Sequence, residues 1–446
     1  MPLDIKIKWE FAATNGYGYM QSAVVAADAD LDGECEVFVG SYTYSLYCLN
    51  GKDGSVKWKY DLPQDLPVRA PHLKDFVGCN NLSLADLDGD GRLEVIFGTE
   101  PCCAVYALRT EGASVDRLMW RTPLVGAFIA GGLGCFADTD GRYKVIALTR
   151  WMSPEEDGRA YLLDGFTGRI IWGPIGEQDV CSSGPSVADL NGDGALEFVH
   201  GNHRCQDIPL GGHVVCRSVK DGSLLWTYQT PDDNGYVTMP LCDVNNDGRL
   251  EVVAVYGHYE DVVPPAYGLV VLSGSDGKEL LKTEKSSAVG FCPAIGSRFG
   301  KKTICCDALL DGRPVLVCYD GETLDTIWQA QMDAPAYSPL ALDLNGDGVD
   351  DYIVGDNNNG LAILDGVDGR VLFKERYVSE KKITPLSIAG IRNLCAADVD
   401  GDGNWEILFN SQDGRTRCLG TNAPVPAGAG RSFPMQGGSI LRTGVC

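Results

Sequence analysis

The sequence lacks any long hydrophobic run. None of its 446 residues lies in an apolar stretch of about 18 residues, the length that a membrane-spanning helix needs, so we expect no membrane insertion. Residues 1–6 also lack the hydrophobic region of a secretory signal peptide. The protein is therefore expected either to be cytoplasmic or to have lost a signal sequence.

Positive charge is scarce. The chain has 37 Lys and Arg residues against 61 Asp and Glu residues, which gives a net charge of −24. Such a surface repels nucleic acid and anionic lipid, and we expect no nucleic-acid partner. Much of the acidic charge lies in short Asp-x-Asp runs, which indicates that it neutralises bound cations.

Several chemical signatures are absent as well. The 17 cysteines include no Cys-x-x-Cys pair, so a zinc or redox site has no support. The nucleophile elbow of serine hydrolases, the Walker phosphate loop and His-Glu-x-x-His are missing too. Because 17 is odd, at least one cysteine is unpaired in a monomer, the state that we expect. We interpret most of the cysteines as small buried hydrophobic residues.

Repetition is what the sequence has in abundance. Residues 85–98 read ADLDGDGRLEVIFG, and a shortened copy begins at Asp138. Close relatives begin at Asp28, Asp189, Asp243, Asp343 and Asp398. Each copy is followed by an apolar strand, a turn with Asp-Gly or Gly, and another strand that often carries Trp, as in residues 46–60.

Aligning these second lines gives eight copies and one column of small or aliphatic residues. The column contains Cys48, Ala107, Leu162, Cys216, Val271, Cys318, Ile363 and Cys418. Each repeat supplies four short strands, and stretches with helical periodicity are absent. We predict an all-β fold with residues 1–446 in a single domain, a β-propeller of eight four-stranded blades. A ring of seven blades with one aberrant insertion is the alternative.

The two ends of the chain indicate how the ring closes. The eighth repeat, at residues 391–419, lacks the fourth, Trp-bearing strand. Residues 5–11 read IKIKWEF and resemble VKWKY at residues 56–60. We therefore predict that the N-terminal strand completes the last blade and removes its open edge.

Six intact acidic loops follow the pattern Asp-x-[Asp/Asn]-x-Asp-Gly-x-x-[Glu/Asp]. Alternate oxygen side chains on such a tight loop can converge on one hard cation, and oxygen-only ligands favour Ca²⁺ over Mg²⁺ or a transition metal. The predicted ligands are Asp28, Asp30, Asp32, Glu36, Asp86, Asp88, Asp90, Glu94, Asp189, Asn191, Asp193, Glu197, Asp243, Asn245, Asp247, Glu251, Asp343, Asn345, Asp347, Asp351, Asp398, Asp400, Asp402 and Glu406. We expect one structural Ca²⁺ in each loop, against the alternative of metal-free Asp-Gly turns.

The loop pattern resembles the FG-GAP/VCBS repeat of integrin α-subunit heads and of many secreted bacterial propellers, over nearly the whole chain. The Asp-Gly-x-x-x-Trp hairpins resemble the repeat of quinoprotein-type propellers. The first resemblance implies binding of extracellular calcium, and hence a secreted or periplasmic location, because cytosolic calcium would leave such loops mostly empty.

Long connections in repeats 3, 4 and 5 hold four of the five histidines and define one sector of the ring. Loops from adjacent blades lie side by side, so we expect these side chains to meet over one groove. The candidate catalytic residues are His203, Arg204, His213, Tyr236, His258 and Tyr259.

This set of side chains suits a polysaccharide lyase. Arg204 would neutralise a uronate carboxylate, His203 or His258 would remove the adjacent proton, and Tyr259 would protonate the leaving oxygen. The architecture resembles propeller-fold lyases that act on rhamnogalacturonan and ulvan, although no lyase motif matches residue by residue. We predict β-elimination on a uronate-containing polysaccharide. The alternative is a noncatalytic carbohydrate- or protein-binding propeller, such as a lectin or adhesion module.

Overall fold

The computed structural model describes the repeats of the chain but not every connection between them. The described residues are 3–13, 24–63, 66, 77–112, 116–126, 129, 133–149, 158–177, 184–201, 212–231, 238–257, 268–283, 292–377, 390–392, 394–411 and 413–426. Within these ranges the chain forms 32 strands, and none of the described segments is a helix long and apolar enough to cross a membrane.

Eight antiparallel sheets of four strands each make the eight blades. Blade 1 contains β2 (Val24–Ala27), β3 (Glu36–Gly40), β4 (Ser45–Asn50) and β5 (Val56–Asp61). Blade 2 contains β6 (Gly78–Ala85), β7 (Glu94–Glu100), β8 (Ala104–Leu108) and β9 (Leu118–Pro123). Blade 3 contains β10 (Leu133–Ala137), β11 (Tyr143–Thr149), β12 (Gly158–Asp164) and β13 (Ile170–Glu177). Blade 4 contains β14 (Ser186–Ala188), β15 (Glu197–Gly201), β16 (His213–Ser218) and β17 (Leu224–Gln229).

The second half of the chain repeats the arrangement. Blade 5 contains β18 (Leu241–Cys242), β19 (Glu251–Tyr256), β20 (Gly268–Ser273) and β21 (Glu279–Thr283). Blade 6 contains β22 (Ala294–Arg298), β23 (Lys301–Leu310), β24 (Arg313–Asp320) and β25 (Thr326–Gln331). Blade 7 contains β26 (Leu340–Leu342), β27 (Asp351–Gly355), β28 (Gly360–Leu364) and β29 (Val371–Arg376). Blade 8 contains β30 (Leu394–Ala397), β31 (Asn404–Ser411), β32 (Arg415–Pro424) and, from the other end of the chain, β1 (Lys6–Ala12).

The blades form a closed ring, because first strands of neighbouring blades contact each other and β2 of blade 1 contacts β30 of blade 8. The predicted eight-bladed propeller is confirmed, and the alternative of seven blades is wrong. The predicted closure is also confirmed, since β1 pairs antiparallel with β32 and Trp9 lies opposite Cys418.

The core lies between the blades, on the first three strands of each sheet. Strands β2 and β3 are buried throughout, whereas the outer strand β5 alternates between half-buried and exposed residues. The predicted interior column is confirmed, because all eight of its residues are buried. Its four cysteines, Cys48, Cys216, Cys318 and Cys418, are free thiols that pack as small apolar residues.

Tryptophans on the outer strands tie consecutive blades together. Each of five indole nitrogens donates a hydrogen bond to a backbone carbonyl oxygen in the hairpin turn of the next blade. The pairs are Trp9 with Gly51, Trp120 with Gly165, Trp172 with Val219, Trp226 with Gly274, and Trp328 with Gly366, at 2.7–3.0 Å. Because each indole is otherwise apolar and largely buried, one residue supplies both packing and orientation at the interface.

Candidate functional site

Each acidic loop joins the first strand of a blade to the second and is held by its own carboxylates. In blade 2, Asp86 Oδ1 accepts a hydrogen bond from the backbone nitrogen of Gly89 at 2.8 Å, and Oδ2 accepts one from Gly91 at 3.0 Å. Both glycines have positive φ, +80° and +90°, which explains why the motif requires glycine there. The first aspartate therefore shapes the loop in addition to any role as a ligand.

The closing acid of each loop has a structural role that the sequence did not reveal. In blade 2, Glu94 is buried and its Oε2 accepts a hydrogen bond from the backbone nitrogen of Leu87 at 2.8 Å. The same bond, at 2.9–3.1 Å, joins Glu36 to Ala29, Glu197 to Leu190, Glu251 to Val244, Asp351 to Leu344, and Glu406 to Val399. One carboxylate oxygen thus fixes the backbone, while the second is left for another partner.

Burial raises the pKa of Glu94 to about 7, and the nearby carboxylates of Asp88, Asp90 and Asp86 add to the effect. Burial also raises the pKa of Glu251 and of Asp351 to about 7. A cation in such a loop would favour the ionised carboxylates by direct attraction.

The loops fit a hard divalent cation where their oxygens converge. Asp86, Asp88 and Asp90 each place one carboxylate oxygen within 4.8 Å of the others. The same criterion is met by Asp28, Asp30 and Asp32, and by Asp398, Asp400 and Glu406. Oxygen-only donor sets of this kind are suited to Ca²⁺.

Two of these loops already contain a positive charge from the protein itself. In blade 1, the Nζ of Lys57 lies 2.6 Å from Glu36, 3.0 Å from Asp32 and 3.5 Å from Asp30. This arrangement was not foreseen from the sequence, where Lys57 reads as an ordinary charge on an exposed strand.

Blade 8 repeats the arrangement with a lysine from the closing strand β1. The Nζ of Lys8 lies 2.8 Å from Glu406 and 2.9 Å from Asp402, and it also bonds Asp400. Partial burial acts to lower the pKa of Lys8, but the hydrogen bonds to Asp400, Glu406 and Asp402 outweigh it, so its pKa is above the ordinary value.

Blade 3 has the shortened loop that begins at Asp138, and a lysine stands where the other blades have the closing acid. Lys144 is buried next to this loop, and its Nζ lies 3.5 Å from Asp140. The reversed charge at this position leaves the loop with fewer carboxylate oxygens than an intact one.

The predicted catalytic groove falls mainly outside the described residues, which exclude His203, Arg204, Tyr236, His258 and Tyr259. His213 is the first residue of β16, half-buried and opposite Gln229 on the outer strand. The convergence of these six residues therefore stays a prediction. The nearby His200 is fully buried and stacks against Phe198, with 6.0 Å between ring centroids, as a packed core histidine would.

Comparison with known proteins adds both a repeat family and a set of relatives. The FG-GAP-like repeat family matches residues 343–409, which include the acidic loops of blades 7 and 8. The human protein "BBSome complex member BBS2" is 29% identical over 230 residues, which cover 50% of this chain and 28% of the human protein. The mouse protein of the same name is 27% identical over 210 residues, covering 47% of this chain and 25% of the mouse protein. The match thus spans about a quarter of the length of these relatives.

Solved structures agree on the fold. A quinohemoprotein alcohol dehydrogenase from Pseudomonas putida HK5 superposes with a TM-score of 0.64 at 12% identity, covering 96% of this chain and 78% of that one. Sqt1 from Saccharomyces cerevisiae superposes with a TM-score of 0.64 at 11% identity, covering 94% and 99% of the two chains. At such low identity the likeness concerns the propeller fold alone.

Proposed function

We propose that this chain is a noncatalytic propeller that binds another protein and acts as a subunit of a multiprotein assembly. The observation that carries the proposal is an apolar outer edge on three consecutive blades. Ile171, Leu225 and Leu280 occupy the same position of β13, β17 and β21, with exposed fractions of 42%, 48% and 46%. Apolar side chains that recur on neighbouring outer strands are typical of protein interfaces.

The edge of this sector differs from the rest of the ring in its chemistry. Ile170 and Leu224, next to these residues, are also exposed, at 38% and 53%. In blades 1 and 8 the equivalent position carries Lys57 or Lys8, and charged outer strands discourage association. The contrast favours a docking surface on blades 3–5 rather than a generally apolar rim.

The relatives support the same conclusion, since the proteins that match half of this chain are named as members of a complex. The lyase hypothesis has less support, because His213 is the one candidate residue that the structure describes and it lies on a strand edge. Lyase activity and secretion therefore remain predictions.

We also propose that calcium stabilises those acidic loops that lack a lysine. These are the loops of blades 2, 4, 5 and 7, which begin at Asp86, Asp189, Asp243 and Asp343. Their oxygen donors and shared backbone geometry support this assignment.

The test of the main proposal is isolation of the tagged full-length chain from its own cells, followed by size-exclusion chromatography. The wild-type chain is expected in a larger complex, and the triple variant Ile171→Asp, Leu225→Asp, Leu280→Asp as a folded single chain. The matched control changes Val56→Asp and Val371→Asp, whose exposed fractions of 48% and 52% are similar but which lie on other blades.

Two outcomes would contradict the proposal. One is a wild-type chain that runs alone, and the other is equal retention of the complex by the triple and control variants. Incubation with uronate-containing polysaccharides, followed by ultraviolet absorbance of the unsaturated product, tests the lyase directly. Product that disappears in His203→Ala and Arg204→Ala would establish catalysis instead.

A further inference from the structure

One residue of every outer strand bulges out of the sheet pairing, and it is the residue before the conserved tryptophan position. In blade 1, Cys48 pairs with Trp58 and Leu49 with Val56, which leaves Lys57 as the extra residue. In blade 8 the same irregularity leaves Lys8 unpaired before Trp9. In the other blades the bulged residues are Met119, Ile171, Leu225, Leu280, Ile327 and Leu372.

The bulge explains how a residue from the outer strand reaches the acidic loop. A bulged residue is released from the ladder and can be aimed differently from its neighbours. The Nζ of Lys57 therefore meets Glu36 through Oε1, the oxygen that the backbone of Ala29 leaves free, because Ala29 binds Oε2. Glu406 divides its two oxygens in the same way between Lys8 and Val399.

The ammonium and a metal ion would compete for the same oxygens. Three of the four predicted ligands of blade 1 contact Lys57, and three of the four in blade 8 contact Lys8. A calcium ion binds oxygen at about 2.3–2.6 Å, so it would lie within a few ångströms of the ammonium and be repelled by it.

We propose that Lys57 and Lys8 act as built-in cations, so that the acidic loops of blades 1 and 8 are closed without a metal. Four intact loops, whose bulged residues are Met119, Leu225, Leu280 and Leu372, are then left for calcium. The number of ions rests on the calcium binding proposed above, whereas the role of the lysines does not.

The position of the two loops gives this arrangement a purpose. Blades 8 and 1 flank the seam where the two ends of the chain meet, and Lys8 lies on the closing strand itself. Docking of β1 therefore delivers both the missing strand and the charge that neutralises the loop of Asp400 and Glu406. The seam of the ring would remain closed when calcium is removed.

The test measures calcium bound per chain by equilibrium dialysis with calcium alone, followed by elemental analysis. The wild-type chain is expected to bind one ion for each of the four loops without a lysine. Lys57→Met and Lys8→Met, which install the residue type of blade 2, should each add one ion. The controls Lys59→Met and Lys6→Met change lysines of the same strands that pair with Asp61 and Asp4 outside the loops, and should add none.

A wild-type chain that binds more than four ions would overturn the proposal, and so would Lys57→Met with an unchanged count. Neither result depends on Lys8→Met folding. If no variant binds calcium, the calcium part of the proposed function fails and melting in EDTA decides the role of the lysines. A lower melting temperature for Lys57→Met than for Lys59→Met would support it, and equal temperatures would refute it.

Discussion

The indole nitrogen of Trp9 donates a hydrogen bond to the carbonyl oxygen of Gly51, with 2.7 Å between the two atoms. Trp9 belongs to the strand that completes blade 8, whereas Gly51 lies in the hairpin turn of blade 1. The bond therefore crosses the seam of the ring, and it repeats the contact that Trp120 and Trp328 make between blades in the middle of the chain.

We first predict that Trp9 contributes strongly to stability. Trp9→Phe keeps an aromatic ring but leaves the Gly51 carbonyl without its donor, at a cost of about 1–3 kcal/mol. Trp9→Ala should cost about 3–5 kcal/mol, because it also opens a cavity. Urea unfolding measures both, with the exposed Ile7→Ala as a control that should change stability by less than about 0.5 kcal/mol. Equal midpoints for Trp9→Phe and the wild type would refute the role of the hydrogen bond.

A second prediction concerns the turn on which Trp9 packs. Gly54 has a φ of +71°, and a β-carbon there would lie 2.6 Å from the ring of Trp9. Gly312 has a φ of +72° with nothing within 4 Å, so it provides a matched control. Gly312→Ala should cost about 1–2 kcal/mol from backbone strain alone, and Gly54→Ala should cost more because the ring must move. Thermal unfolding of the two variants checks this, and an equal loss of stability would show that the ring yields without strain.

The sequence alone predicts the ring and its closure, but not the chemistry of the loops at the seam. Eight copies of one pattern and a missing outer strand suffice for the fold, since each repeat must bury its faces against its neighbours. The contact of Lys57 with Glu36 depends on a bulge that moves one residue out of register, and the pattern of apolar and polar residues does not encode it. A lysine immediately before the tryptophan, in blades 1 and 8 but in no other repeat, is the signal that could have revealed it.

A third prediction is a pH dependence at the closing strand. Arg417 bonds both Asp413 and Glu10 of β1. Burial acts to raise the pKa of Asp413, but hydrogen bonds from Arg417 and Ser411 outweigh it, so the pKa is lower than in the unfolded chain. The stabilisation is then present above the unfolded pKa of about 3.9 and is lost as the pH falls through the lower folded pKa.

Asp413→Asn should therefore be less stable than the wild type at pH 6, and the difference should shrink below about pH 4. Unfolding free energies in urea across this range provide the measurement. A difference that stays constant down to pH 3 would mean that the interaction does not involve the charge of Asp413.

A fourth prediction concerns the column cysteines. Burial raises the pKa of the Cys318 thiol to about 12, and it raises the pKa of Cys48, Cys216 and Cys418 as well. Since the thiolate is the reactive form, these four residues should resist a thiol reagent in the native protein and react once denatured. Peptide mapping of the modified protein, with and without reductant, identifies them. A requirement for reductant would show that they form disulfides.

The last prediction concerns calcium and stability. Calcium that binds only the folded ring should raise its melting temperature, and a concentration of about 100 times the Kd contributes about 2.7 kcal/mol for each site. In blade 2, Asp88→Asn keeps an oxygen that can accept the hydrogen bond from the backbone nitrogen of Asp90, while it removes one negative charge from the loop. The variant should therefore melt like the wild type in EDTA and gain less from added calcium. Asp53→Asn, in a turn of blade 1 outside the acidic loop, is the control and should respond to calcium as the wild type does. An equal gain for Asp88→Asn and the wild type would show that this loop does not hold the ion.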